Sequence, residues 1–168
     1  GNEDSAIQLN LSAALTDGDG SESLSVNVSG VPAGATLSAG TLNPDGSYTL
    51  TAAELSGLTL TPAHDYSGTI SLTVVATSSE DGTTATTTAT TSVTVGGVAD
   101  APTLTVADSA GFEDTAIPLT ISPALTDVDG SESLSIQVSG LPAGATLSAG
   151  TMNPDGSYTL TEAELAGL

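Results

Sequence analysis

Stretches in which apolar and polar residues alternate recur along the chain and predict short β-strands. Residues 6–12 (AIQLNLS) and 23–29 (SLSVNVS) follow this pattern, and the second stretch places Leu24, Val26 and Val28 on one face. A period of two residues is typical of a strand with one buried side. Residues 68–78 (GTISLTVVATS) are more continuously apolar and rich in β-branched side chains, which favours a strong strand. The turn at 80–83 (EDGT) leads into a second long strand at 84–95.

Turn signals separate these strands. Pro44 fixes its own φ angle and Gly46 is free to adopt a positive φ, so the sequence PDGS at 44–47 predicts a tight turn. Residues 51–58 (TAAELSGL) predict one helical turn, with Thr51 as the N-cap and Glu54 at the capping-box position. About seven strands in about 100 residues, with a turn signal every 8–12 residues, are typical of an immunoglobulin-like or cadherin-like β-sandwich.

The sequence repeats itself with a period of 110 residues. Residues 1–58 align without gaps with residues 111–168, and 45 of the 58 pairs are identical. A unit of this length corresponds to a domain, because solenoid repeats are shorter. The chain starts partway through a repeat, which predicts that it is a piece of a longer tandem array.

These patterns predict an all-β fold of tandem immunoglobulin-like (cadherin-like) β-sandwich domains, in which the second copy is truncated. Residues 1–98 would form the first repeat without its first strand, since residues 101–106 (APTLTV) have no counterpart before residue 1. Residues 99–168 would form a partial second repeat without its last strands, with a core that is open at one edge. The sequence GGVADAP at 96–102 is the expected linker.

Composition narrows the possible partners. The chain has 20 acidic residues, one histidine and no lysine or arginine, which gives a formal charge of −20. Such a surface repels nucleic acids and anionic membranes. There is no cysteine for disulfides or thiolate metal sites. No apolar run approaches the roughly 20 residues that span a bilayer, and no signal peptide is visible.

Two acidic loops occupy equivalent positions in the repeats. They are TDGDGSESLSV at 16–26 and TDVDGSESLSI at 126–136, and each holds three carboxylates within six residues. Because like charges this close repel one another and the chain has no lysine or arginine to neutralise them, a cation from solution is expected there. The alternative is that DxDGS is only a solvated turn, with Asp and Gly selected for backbone reasons.

Loops of a seven-stranded sandwich alternate between its two ends. With the first strand at 103–106 and the second at 117–121, Glu113 and Asp114 lie at the pole that also holds Asp65, and the acidic loops lie at the other pole. In a stack of two domains these acids would converge on the joint. The ligands predicted at the joint within this chain are Glu3, Asp4, Asp65, Asp100, Asp127, Asp129 and Glu132. Those predicted toward a preceding repeat are Asp17, Asp19, Glu22, Glu80 and Asp81.

Carboxylate oxygens in this number favour Ca²⁺, which takes six to eight hard oxygen ligands. Mg²⁺ prefers fewer carboxylates and more water, and Zn²⁺ prefers His or Cys. The loop is not an EF-hand, because Gly130 follows Asp127 by three positions instead of five and Val138 stands where the bidentate Glu is required.

The ordered motifs ED, DxDGSxSLSV, GSYTLT, LTLTP, DYSGTISLTVVAT, EDG and VADAP cover the chain and resemble the cadherin-like repeats of very large bacterial surface adhesins of the RTX type. The resemblance implies an extracellular, Ca²⁺-rigidified extender that contacts neighbouring repeats of its own chain and holds an adhesive tip away from the cell. It also implies ligand roles. Glu3 would be the N-terminal acidic ligand, Asp65 the corner ligand, Asp100 the linker ligand, and Asp127 with Asp129 the pair from the following domain.

Two other functions have weaker support. Catalysis needs a recessed site with tuned pKa values, whereas the only histidine, His64, is expected in a surface turn, so the chain is not predicted to be an enzyme. Ligand or ice binding is the alternative, because residues 84–94 alternate Thr or Ser on one face. Only one such strand is expected per domain, and a flat ice-binding face needs several.

Overall fold

A computed structural model of the chain describes residues 1–17 and 19–168. The prediction of an all-β chain is confirmed, since 40% of the residues are in strands and 4% are helical. All pairs between the named strands are antiparallel. The structure divides into two compact units, Gly1–Val98 and Ala99–Leu168.

The first unit contains eight strands in the part that the structure describes. They are β1 (Ile7–Gln8), β2 (Ser23–Ser29), β3 (Thr36–Leu37), β4 (Thr41–Leu42), β5 (Tyr48–Thr51), β6 (Thr59–Thr61), β7 (Gly68–Glu80) and β8 (Thr83–Val95). One sheet has the order β4-β5-β2-β7-β8 and the other has the order β1-β6-β3. The N-terminal residues run parallel to the end of β8, through a bridge between Asn2 and Gly96.

Both sheets of the first unit contribute to one hydrophobic core, an arrangement consistent with a β-sandwich. In β2 the alternating pattern buries Val26 and Val28 completely. β7 and β8 bury side chains at one end of their long ribbon, where Leu72 is 0% exposed. The buried residues of this core are Leu9, Val26, Val28, Leu37, Tyr48, Leu50, Leu55, Leu58, Leu60, Ile70, Leu72, Val93 and Val95.

The predicted turn chemistry is confirmed. The backbone N–H of Gly46 donates to the carbonyl of Asn43 at 3.0 Å, and Gly46 has a φ of +85° that only glycine adopts without strain. A 3₁₀ turn spans Ala53–Leu55, and the carboxylate of Glu54 accepts bonds from both the backbone N–H and the hydroxyl of Thr51. The helical turn therefore begins one residue later than predicted, since Ala52 takes the N-cap position.

The second unit contains five strands, β9 (Thr103–Ala107), β10 (Thr120–Ala124), β11 (Ile136–Val138), β12 (Thr151–Met152) and β13 (Tyr158–Leu160). β9 and β10 form one antiparallel pair, and the second sheet has the order β11-β13-β12. β10 lies three residues later than the strand predicted at 117–121. A 3₁₀ turn spans Glu162–Leu165.

The repeated sequence adopts the same local structure in both units. Val26 pairs with Leu50 in the first unit, and Ile136 pairs with Leu160 in the second. The backbone N–H of Leu9 donates to Leu58 at 2.9 Å, and that of Leu119 donates to Leu168 at 3.0 Å. The core of the second unit is smaller, and its buried residues are Ile136, Tyr158, Leu160 and Leu168.

Candidate metal-binding site

Glu3 lies at the end of the first unit and is only 4% exposed. Its backbone N–H donates to the carbonyl of Gly96 at 3.0 Å, and its Oε1 accepts a hydrogen bond from the backbone N–H of Val98. Its Oε2 is buried and has no hydrogen-bond partner among the described residues. A buried carboxylate oxygen without a donor is unfavourable unless a cation or ordered water satisfies it.

Asp4, His64 and Asp65 form a cluster in the first unit, with ligand atoms that all lie within 4.8 Å of one another. Asp4 Oδ1 accepts a hydrogen bond from the backbone N–H of Asp65 at 3.2 Å. His64 Nδ1 lies 2.6 Å from Asp65 Oδ1, a contact that is attractive only when Nδ1 carries a proton. The imidazole is 82% exposed, whereas Asp65 is 21% exposed, so the cluster opens to solvent through the histidine.

The first acidic loop is closed by its own carboxylates. Asp17 Oδ1 accepts the backbone N–H of Asp19 at 3.1 Å, and Asp19 Oδ1 accepts both the backbone N–H and the hydroxyl of Ser21. The Ser21 hydroxyl also contacts Glu80 Oε1, which brings the end of β7 to this loop. The bonds from Ser21 lower the pKa of Asp19 below its ordinary value, with the side-chain bond as the largest cause.

The second acidic loop has the same turn. Asp127 Oδ1 accepts the backbone N–H of Asp129 at 2.8 Å, and Asp129 Oδ1 accepts that of Ser131 at 2.7 Å. Asp127 is 1% exposed, which makes it the most deeply buried carboxylate of the chain's described part. Asp is therefore used in these loops to accept backbone N–H groups of the turn. Each carboxylate still has lone pairs that can accept a further ligand.

The linker residue Asp100 is bound within the second unit. Its backbone N–H donates to Glu132 Oε1 at 2.5 Å, while Glu132 Oε2 is buried and has no hydrogen-bond partner in the described ranges. The Thr126 hydroxyl donates to the carbonyl of Ala101 at 3.2 Å, so the acidic loop is fastened to the start of this unit at two points. The Asp100 side chain itself is exposed.

The predicted ligands are brought together in part. Asp4 is hydrogen-bonded to Asp65, Glu80 contacts Ser21 in the loop of Asp17 and Asp19, and Glu132 is hydrogen-bonded to Asp100. Asp81 lies in the exposed turn after β7 with a φ of 45°, and Glu22 is half-buried in the first loop. Glu113 and Asp114 are exposed, although Asp114 has the same left-handed backbone as Asp4.

Sequence reasoning missed two features of these sites. His64 joins the Asp4–Asp65 pair, and the only signal was its position beside Asp65 in the sequence HDY. The Val98 amide holds Glu3, which no pattern of side chains could indicate because the donor is a backbone group.

The threonine-rich strand β8 does not stand alone. Thr86 pairs with Thr77 on β7, Thr77 pairs with Ser25 on β2, and Ser25 pairs with Thr51 on β5. Directly paired residues project from the same face of a sheet. β8 remains the strand with an unbroken alternation of Thr and Ser, and the paired strands add further hydroxyls beside it. Five strands share an outer face, called here the hydroxyl face, whose paired positions carry no charged side chain. Two of these positions, Asn27 and Val75, lack a hydroxyl. The others are Ser23, Ser25, Ser29, Thr41, Thr49, Thr51, Thr69, Ser71, Thr73, Thr77, Ser79, Thr84, Thr86, Thr88, Thr90, Ser92 and Thr94.

No protein family, curated protein or solved structure matches the sequence. Among the described residues, no helix has the length and apolar character needed to cross a bilayer.

Proposed function

We propose that the chain is an extender segment of a bacterial cell-surface adhesin, made of tandem immunoglobulin-like (cadherin-like) β-sandwich domains that Ca²⁺ stiffens at the joint between repeats. Its role is mechanical and non-catalytic, and its partners are the neighbouring repeats of the same chain. The supporting observation is the buried Glu3 side chain, whose Oε2 has no donor in the described structure. In the second unit, the Oε2 atom of the half-buried Glu132 is likewise buried without a donor.

Buried carboxylate oxygens of this kind call for a cation. An ionised carboxylate is stable away from water only when it is paired or hydrogen-bonded. This chain has no lysine or arginine, and its one histidine contacts Asp65. The counter-charge therefore has to come from solution.

The donor set favours calcium over other metals. Glu3, Glu132 and the acidic loops offer hard oxygen atoms and no thiolate, which suits Ca²⁺. Mg²⁺ would retain most of its water ligands and would bind fewer of these carboxylates. His64 belongs to the separate Asp4–Asp65 cluster, and its imidazole with the two carboxylates is a donor set that Zn²⁺ also binds. Stabilisation by calcium, by magnesium and by zinc therefore has to be measured side by side.

The attachment of these carboxylates suggests why they would act at a joint. Glu3 accepts the amide of Val98, the last residue of the first unit, and Glu132 accepts the amide of Asp100, the second residue of the second unit. Because two residues of chain span at most about 7 Å, the Val98 and Asp100 amides that hold these two carboxylates are at most about that far apart. Calcium bound by Glu3, Glu132, Asp127 and Asp129 would supply the positive charge that lets these acids lie close together, and so restrict bending of the linker.

The experiment compares thermal unfolding in calcium and in EDTA. Calcium that binds only the folded state stabilises it by about 2.7 kcal/mol at a concentration about 100 times Kd. We expect a higher melting temperature in calcium, a smaller gain in magnesium or zinc, and loss of most of the calcium gain in Glu3→Gln. The matched control is Asp45→Asn, because Asp45 serves the Asn43–Ser47 turn. Identical melting curves in calcium and EDTA would rule out the proposal.

The hydroxyl face supports a second candidate, binding of ice or another neutral, hydroxyl-rich ligand. The chain has a net charge of −20, yet the paired positions of this face carry no charged side chain, and adjacent strands provide rows of hydroxyls about 4.8 Å apart. Replacement of Thr86, Thr88 and Thr90 by Lys would abolish ice shaping or ligand binding if this candidate is correct, and would leave calcium binding unchanged. An absence of ice shaping by the unaltered chain would reject the ice-binding form.

A further inference from the structure

β8 lies at the edge of the five-stranded sheet, and one of its two sides is open along most of its length. It pairs with β7 over all 13 of its residues, and no other strand pairs with it among the described residues. The backbone contacts on its other side lie at its end, where the Gly1 nitrogen donates to the Thr94 carbonyl at 2.9 Å and Asn2 bridges Gly96. Residues 83–90 are exposed on both faces of the strand. Their outer backbone groups are therefore accessible to another strand.

The repeat's own first strand does not pair along this edge. In the second unit that strand is β9, and it pairs with β10. The first-unit counterpart of β10 is residues 10–14, which follow β1 in the chain, and β1 belongs to the other sheet. The open side of β8 therefore does not depend on where the chain begins.

Alternate residues of β8 direct their backbone N–H and C=O groups toward the open side. Thr94 does so, because its carbonyl accepts the bond from Gly1. The period of two in an antiparallel ladder gives the same direction to the even-numbered residues of 84–92. Natural proteins block such edges with proline, charged side chains or bulges. β8 has no proline and no charged residue, and its register with β7 has no bulge.

The sequence of this strand reads the same in both directions over nine residues. Residues 83–91 are TTATTTATT, centred on Thr87. In two copies related by a twofold axis at Thr87, antiparallel pairing would oppose residues that are equally far from Thr87, so each side chain would face an identical one. Even-numbered residues would oppose even-numbered residues, so that the outward backbone groups of the two strands meet in register. The edge is therefore complementary to itself.

We propose that this edge pairs with the same edge of a second copy of the chain, in antiparallel register about Thr87. Thr84 with Thr90 of the second copy, and Thr86 with Thr88 of the second copy, would form backbone hydrogen bonds and Thr–Thr contacts. The paired segment 83–91 stops short of Thr94, where Gly1 lies. The hydroxyl face would then continue from one copy into the other. Since a single strand pair is a small interface, the association is weak and reversible.

The distribution of charge favours a second copy as the partner. No acidic residue lies between 82 and 99, although the chain has a net charge of −20. The acidic residue nearest in sequence to the paired segment is Asp81, which would lie beside the uncharged Val93 of the second copy. The remaining repulsion comes from carboxylates elsewhere on the two chains, and salt at about 0.15 M screens it beyond about 8 Å. Dimerisation should therefore strengthen as the salt concentration rises.

The test measures self-association of the whole chain by sedimentation equilibrium, from about 10 µM to about 1 mM. EDTA is present, so the result is independent of the proposed calcium joint. Thr87→Glu and Thr87→Lys each place two like charges across the axis and should weaken dimerisation about fivefold or more. An equimolar mixture of these two variants should associate at least as strongly as the unaltered chain. The controls are Thr41→Glu and Thr41→Lys, at an exposed position on the opposite edge of the sheet, which should each dimerise without such weakening.

A disulfide measurement detects the same pair even when the dimer is too weak for sedimentation. Thr87→Cys gives the chain a single thiol. Thr87 would face its own copy in a non-hydrogen-bonded pair, with Cα atoms about 4.5 Å apart, a separation that a disulfide bridges. Air oxidation should therefore form a covalent dimer at least about tenfold faster than in the control Thr41→Cys.

Two results would overturn the proposal. One is a chain that stays monomeric at every salt concentration while the two Cys variants oxidise at equal rates. The other is a dimer that Thr87→Glu leaves unchanged, since the two copies would then meet through another surface.

Discussion

Asp4 Oδ1 accepts the backbone N–H of Asp65 at 3.2 Å, and both residues hold left-handed φ angles, 54° and 55°. Non-glycine residues are uncommon in this region, although Asp tolerates it better than most. For Asp4 the conformation is local, because Asp114 has a φ of 58° in the equivalent turn of the second unit. Ser5 and Thr115 close these turns by donating to the carbonyl three residues earlier. The backbone thus holds the Asp4 carboxylate in place before any ligand arrives.

The first prediction separates backbone strain from charge at Asp65. Asp65→Asn keeps a side chain that tolerates a positive φ but removes the charge, so metal binding at the Asp4–His64–Asp65 cluster should weaken while stability in EDTA stays nearly constant. Asp65→Ala should also destabilise the first unit by about 1–2 kcal/mol, because alanine is strained at this φ. Urea unfolding in EDTA measures the effect on stability, and titration with zinc and with calcium measures the effect on metal binding. Equal stability of the Asn and Ala variants would contradict the backbone argument.

The second prediction concerns acid sensitivity. Hydrogen bonds from the backbone N–H and hydroxyl of Thr51 lower the pKa of Glu54 below its ordinary value of 4.5. The same two groups of Thr161 lower the pKa of Glu164. A carboxyl whose pKa is lower in the folded state stabilises the fold above its unfolded pKa. That contribution is lost as the pH falls through the folded value.

Urea unfolding in EDTA between pH 7 and pH 3 measures this loss. Stability should begin to fall near pH 4.5 and continue to fall below it, and Glu54→Gln should show a smaller decline with pH than the unaltered chain. Thr51→Ser keeps both donors and serves as the control, so its decline should match that of the unaltered chain. If Glu54→Gln loses stability with falling pH as steeply as the unaltered chain does, then Glu54 does not cause this loss.

The third prediction tests where the core lies. Leu72 is 0% exposed in the first unit, and Leu104 on β9 is 62% exposed. Leu72→Ala should cost about 2–5 kcal/mol because it leaves a cavity. Leu104→Ala should change stability by less than about 0.5 kcal/mol, as for most surface substitutions. Hydrogen exchange resolves the two units separately, and a large cost at Leu104 would mean that β9 is covered in solution.

The sequence predicted the long elements well because their signals are local. The alternation that places Val26 and Val28 inside, and the Pro44–Gly46 turn, follow from side-chain period and φ preference alone. Prediction was poorest where a strand is short or its edge is decided by a distant partner. Residues 6–12 alternate throughout, but only Ile7–Gln8 form a strand, because β6 pairs with just two residues there.

In the candidate site, too, local features could be predicted from the sequence, and features that depend on distant residues could not. Carboxylates could be counted in the sequence, and the contacts of Glu80 with Ser21 and of Asp65 with Asp4 agree with the expected poles of a sandwich. The burial of Glu3 could not be predicted, since it depends on the backbone of Gly96 and Val98, 93 to 95 residues away in the chain. The width of the hydroxyl face also depends on cross-strand register, which alternation in a single strand does not reveal.

The last prediction follows from the proposed calcium joint. Asp127 Oδ1 and Asp129 Oδ1 each accept a backbone N–H of their own loop, and an Asn side chain can accept the same bond. The double variant Asp127→Asn with Asp129→Asn therefore preserves the turn and removes two negative charges. Because calcium affinity depends on the charge of the ligands, the variant should bind calcium more weakly, while the stability of each unit in EDTA should be little changed.

Small-angle scattering on a polypeptide of two complete repeats measures the consequence for the joint. The unaltered polypeptide should become more extended when calcium replaces EDTA, because bound calcium would restrict the linker at 96–102. The double variant should remain as flexible in calcium as in EDTA, and each domain should still unfold cooperatively. Asp155→Asn is the matched control, because its carboxylate serves the Asn153–Ser157 turn of the second unit. It should respond to calcium as the unaltered polypeptide does. A double variant that becomes as extended as the unaltered polypeptide would mean that the two acidic loops bind no structural ion at the joint, and their carboxylates would then be explained by the backbone bonds alone.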